Sequence, residues 1–172
     1  MNEQQRLQEM DAFSDKYRYD MDYLKEFLRS SPKGYEKFAN FQPLSMHREF
    51  LPLDIFWVSK LAAMQVADCG ACLQLNVRMA LEADVDPTVV KACIQGGSNL
   101  PETLKDIFDF STALASYKNI DPVLDERISV QLDTKQRIEL GVSVATASVY
   151  PAIKRAMGHT QSCSLIEIEF EA

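Results

Sequence analysis

At 172 residues, 47% hydrophobic and 25% charged, the chain is long enough for one domain whose core needs no disulfide or metal staples. A formal charge of −7 and a pI near 4.9 exclude a broad phosphate-binding surface, so no nucleic-acid partner is expected. Six glycines among many Ala, Leu, Glu, Lys and Gln residues favour helices over a turn-rich β fold. The start, Met1-Asn2-Glu3-Gln4-Gln5-Arg6, lacks an apolar signal core. The best apolar run, residues 138–153, contains Glu139 and Pro151 and does not read as a membrane span. The expectation is a soluble cytoplasmic protein with no membrane partner.

In chain order, residues 3–29 read as one or two helices with Leu7, Met10, Phe13, Tyr17, Leu24 and Leu28 on one stripe. They suggest an arm packed on the body or on another subunit. Ser30-Ser31-Pro32-Lys33-Gly34 breaks the arm, and an aromatic-rich piece, 35–46, follows, interrupted by Pro43. Over 53–66, Ile55, Val58, Ala62 and Val66 keep helical spacing, and Phe56, Leu61 and Met64 broaden the stripe, as in a largely buried helix. A helix from about Cys69 to Ala83 comes next, with Asp68 as its expected cap. Asp86-Pro87 starts a short helix through Ile94, which Gly96-Gly97 ends. Residues 101–117 form another helix with Leu104, Ile107, Phe108 and Leu114 inward, and Asp121-Pro122 opens a short segment over 123–130.

Asp133 and Gln136 resemble a capping box opening a long helix at Thr134. Ile138, Val142, Ala145 and Val149 line one of its faces, and Leu140, Val144 and Ala147 another. Such a helix belongs at the centre of a bundle or in a subunit interface. Pro151 kinks or restarts it and Gly158 ends it. The tail, 164–170, alternates apolar and acidic residues and reads as a short strand or extended arm that needs a partner. The expected organisation is a single all-α domain: residues 1–50 a helical arm, 51–158 the core and 159–172 the tail.

The chemistry centres on Asp68-Cys69-Gly70-Ala71-Cys72. With Cys69 and Cys72 in the first turn of a helix, i and i+3 share a face and the two sulfurs can meet. Unpaired N–H groups and the positive end of the helix dipole favour thiolate there. Two other readings stand beside a dithiol/disulfide centre: two small buried side chains, or metal ligands. Structural zinc wants four ligands, and the remaining cysteines (Cys93, Cys163) and histidines (His47, His159) are isolated, so no metal is expected. Cys93 is read as core and Cys163 as exposed; His47 and His159 are read as surface residues.

The run Leu51-Pro52-Leu53-Asp54, Val58-Ser59-Lys60-Leu61-Ala62-Ala63, Asp68-Cys69-Gly70-Ala71-Cys72 and Ala80-Leu81-Glu82-Ala83-Asp84-Val85 resembles the carboxymuconolactone decarboxylase and alkylhydroperoxidase-D superfamily over residues 51–94. The resemblance implies a compact helical bundle with CxxC at a helix N-terminus, assembled as a homo-oligomer, often a trimer or hexamer. It makes Cys72 the attacking thiol and Cys69 its resolving partner. The peroxidase branch has a histidine four residues after the second cysteine and a glutamate upstream. Here those positions hold Asn76 and Trp57. Asparagine can hydrogen-bond a sulfur or a peroxide oxygen but cannot exchange a proton near neutral pH, so that relay is absent or rebuilt. Asn76 still shares the cysteine face. Asp54, a possible replacement acid, is read first as a cap of its own helix.

The function expected is thiol-dependent reduction of a small-molecule peroxide or disulfide, with an external dithiol as reductant and no bound cofactor. The alternative is a non-catalytic oligomeric protein that has lost the relay. A lactone decarboxylase ranks below both: it needs a base and an anion-holding group, and only Arg78, read as a solvated helix residue, is at hand.

Overall fold

A computed structural model describes residues 2–159 and 167–170. Its described elements are helices α1 (Glu3–Tyr17), α2 (Asp22–Ser30), α3 (Pro32–Ser45), α4 (Leu53–Val66), α5 (Gly70–Glu82), α6 (Pro87–Ile94), α7 (Glu102–Ala115), α8 (Pro122–Gln131), α9 (Thr134–Ala147) and α10 (Val149–Ala156). The fold is all-α, as the composition implies.

The bundle is built round α4, which packs against α5, α6, α7 and α9. Its sequence shows a stripe, yet residues 56–64 are buried without a break, Ser59 and Lys60 included. A helix enclosed on all sides has no polar face to keep in water. Local signals set the ends of other helices. Asp86 and Asp121 each accept a backbone N–H two residues on and are each followed by proline at N1. Asp133 and Gln136 form the expected reciprocal capping box. On α9, Leu140, Val144 and Ala147 are buried, whereas Ile138 is 64% exposed and Ala145 is exposed. The long helix breaks at Ser148, and Pro151 falls in the first turn of α10, where a missing N–H costs nothing.

Other expectations change or narrow. The piece placed at 35–46 starts earlier, with Pro32 at N1, and runs through Pro43 to Ser45. Of the two placements expected for the arm, the structure shows packing on the body: Met10, Tyr19, Tyr23, Leu24 and Leu28 are buried in the cluster that extends to Ala147. Arg78 is not solvated. Its guanidinium donates to Tyr17 O on the arm and pairs with Glu169 of the tail at 2.6 Å.

The described part of the tail, 167–170, is not a strand. Its partner is a side chain: Gln74 on α5 donates from Nε2 to Glu169 O at 2.7 Å and accepts Glu169 N–H at 2.8 Å. One amide side chain thus supplies the donor and acceptor that a neighbouring strand would offer. The remainder of the expected strand, and Cys163, lie outside the described residues.

Candidate redox site

The helix-opening cysteines lie where the chain turns sharply out of α4. Asp68 adopts left-handed backbone angles (φ 50°), so it is not the cap of α5; Cys69 is, with extended backbone. The turn sends the Asp68 carboxylate outward, 3.4 Å from Arg155. A carboxylate beside Cys69 would oppose thiolate formation, and this one is paired away from the sulfurs. Cys72 occupies N3 of α5, and the two Sγ atoms stand 2.9 Å apart. Closing that gap to the roughly 2.05 Å of a disulfide requires a shift of less than 1 Å.

Both sulfurs are inside: Cys69 is 1% and Cys72 2% exposed. Cys72 nevertheless lines a cavity of about 310 Å³. Glu9 and Met46, both exposed, line the same space and carry it to the surface. Met10, Met21, Leu24, Met64, Leu75 and Met79 form most of its apolar wall. Asn76 reaches it too, one turn below Cys72, with Nδ2 donating to Cys72 O at 2.7 Å. It is therefore both a cavity residue and an amide bonded back to the helix.

A hydroxyl beside Cys72 comes from the arm. Tyr19 OH lies 3.3 Å from Cys72 Sγ and 3.4 Å from Tyr23 OH. Burial pushes the Tyr19 phenol far above its ordinary value, with Tyr23 and Cys72 adding to the shift, and burial also raises Tyr23. Both remain neutral hydroxyls; Tyr19 donates to Tyr23 OH and, being in reach of Cys72, is the one that can turn its hydrogen to a sulfur anion. Lys154 of α10 sits over these rings, its Nζ 4.8 Å from the Tyr19 centroid and 5.4 Å from that of Tyr23. It is fully buried, and its ammonium has no hydrogen-bond acceptor among the described residues. A cation over a phenol ring draws electron density from it and makes the hydroxyl a stronger donor.

Other residues singled out in the sequence stand apart. Asp54 is exposed in the first turn of α4, accepting the Ile55 N–H. Trp57 is buried edge-on against Phe56. Cys93 is fully buried on α6, and burial pushes its thiol up to about 12. His47 is exposed; His159, partly buried, lies 3.1 Å from Glu26. Among the described residues no three His, Cys, Asp or Glu side chains gather as a metal site, and no helix is long and apolar enough to cross a membrane.

Tyr19, Tyr23, Lys60 and Lys154 escaped the sequence reading. Nothing in a run of tyrosines on an unassigned arm, or in two lysines on helical stretches, signals that they converge. No family model, curated protein or solved structure matches the chain.

Proposed function

We propose that the protein is a thiol-dependent oxidoreductase that cycles Cys69 and Cys72 between dithiol and disulfide, as a cytoplasmic relative of the carboxymuconolactone decarboxylase and alkylhydroperoxidase-D superfamily. The observation that carries this reading is the 2.9 Å sulfur pair with Cys72 on the wall of an accessible cavity. The thiolate of Cys72 attacks the distal oxygen of a hydroperoxide, the O–O bond breaks, and the alkoxide leaves as the alcohol after taking a proton. Cys69 then attacks the sulfenic sulfur and releases water, forming the disulfide. An external dithiol returns two electrons and two protons and is itself oxidised. Tyr19 holds the sulfur anion through its hydroxyl, whereas the Asn76 amide is bonded back to Cys72 O. The exposed Ile138 and Ala145 face of α9 supports the homo-oligomer, trimer or hexamer, that the resemblance implies.

Hydroperoxide consumption in the presence of a dithiol should vanish in Cys72→Ser and stall at a sulfenic or mixed-disulfide species in Cys69→Ser. Wild-type turnover in both variants would refute the mechanism.

The deep burial of both sulfurs favours a second reading, a non-catalytic family member that keeps the packing alone. A thiol titration separates the two: a midpoint near the free value of about 8.5 marks the inert protein, and a clearly lower one the enzyme.

A further inference from the structure

The wall of the cavity holds a deeply buried charged group that the thiol chemistry does not use. Lys60 lies on α4 and is 4% exposed. One of its three N–H groups donates to Ser45 O, at the end of α3. The others have no acceptor among the described residues, and no carboxylate there pairs with the ammonium. The Phe56 ring lies 5.1 Å from Nζ. Burial lowers the amine to about 8, so it is still mainly charged at neutral pH. A buried, unpaired ammonium is costly, and an anion brought into the cavity offsets that cost.

The surroundings narrow the anion. Ser45 Oγ donates to Gln42 O and lies 3.1 Å from Tyr150 OH; both residues line the same cavity, and Tyr150 is the hydroxyl that can turn its hydrogen from Ser45 to a ligand. Much of the rest is methionine, leucine and aromatic carbon. Arg6 and Glu9 also line the cavity with opposite charges, so Lys60 leaves a net of one positive charge there, which suits a monoanion; a dianionic phosphate wants more cationic donors. A volume of about 310 Å³ has room for a body of about ten non-hydrogen atoms.

We propose that this cavity binds a molecule with one carboxylate and an apolar chain, the carboxylate seated on Lys60 beside Ser45 and Tyr150 and the chain among Met10, Met21, Leu24, Met64 and Leu75. Taken with the thiol chemistry proposed above, the substrate is an apolar acid carrying a reducible peroxide or disulfide. The binding claim stands without turnover.

Calorimetric titration of the full chain with octanoate and with 1-octanol, its uncharged counterpart, tests it. Octanoate should bind the wild-type protein at least about tenfold more tightly than octanol, the worth of one charge-assisted contact. Lys60→Met should erase that preference and leave octanol binding close to its wild-type strength. Leu75→Trp, which fills the apolar part, should abolish binding of both. Equal affinity for the two probes in the wild-type protein, no binding of either, or a preference that survives Lys60→Met overturns the proposal. The wild-type comparison decides even if Lys60→Met fails to fold. Octanoate binding with unchanged turnover in Cys72→Ser removes the redox reading and leaves the carboxylate site; lost turnover without octanoate binding does the reverse.

Discussion

Replacing Tyr19 by phenylalanine removes one oxygen atom from a buried ring and leaves its packing against Phe13 and Tyr23 in place. That oxygen is 3.3 Å from Cys72 Sγ. A hydrogen bond to a charged group stabilises it by about 1.5–3 kcal/mol, and sulfur, a weaker acceptor than oxygen, belongs at the lower end, about 1.5 kcal/mol. Because 1.36 kcal/mol equals one pH unit, Tyr19→Phe should move the Cys72 ionisation midpoint upward by about one unit. The sign follows from which form is bound: losing a donor to the anion disfavours the anion. The assay is the rate of alkylation by iodoacetamide across pH, resolved for Cys72 by mass spectrometry. Tyr23→Phe, one contact further out, should move the midpoint less. An unshifted midpoint in Tyr19→Phe, with native circular dichroism, would refute the assignment of Tyr19 as the group that holds the sulfur anion.

Glu139 is buried on α9, and its carboxylate accepts the N–H groups of Glu49, Phe50 and Leu51 ahead of α4. Burial opposes its ionisation, but the three backbone donors and His47 together hold its pKa below the ordinary value. Its contribution is therefore present above the unfolded carboxylate pKa, about 4.3, and is lost as pH falls through the lower folded value. Glu139→Gln should cost about 2–3 kcal/mol in denaturant unfolding at neutral pH and flatten the acid limb of stability against pH; an acid limb as steep as wild type would count against it. Gly97 has φ 77°, and an added Cβ would lie 2.7 Å from the Phe108 ring. Gly97→Ala should lower stability by about 2–4 kcal/mol, from backbone strain and overpacking together. Gly96→Ala, with φ 84° but open space around it, should show the backbone part alone, and thermal melts that fail to separate the two variants would refute this account.

Much of the helical order was legible because capping and periodicity are local. Asp86-Pro87, Asp121-Pro122 and the Asp133/Gln136 box satisfy helix N–H groups from residues two or three positions away, so no distant partner is needed to place those starts. The cysteine spacing likewise brought the two sulfurs together within one turn. Asp68 failed as a cap because the chain turns left-handed there, a geometry that asparagine and aspartate tolerate and that residue type alone does not announce. The arm supplies the hydroxyl beside Cys72 across 53 positions of sequence, and α10 supplies the ammonium above it. The buried charge of Lys60 became visible only once the fold enclosed α4 and brought Ser45, at the end of α3, to its ammonium. By itself the sequence determined where most helices begin and that two thiols share one turn, since those depend on neighbours along the chain. Which tyrosine touches the thiol, and which lysines lose their water, depended on contacts between distant segments, and these only the tertiary structure decided.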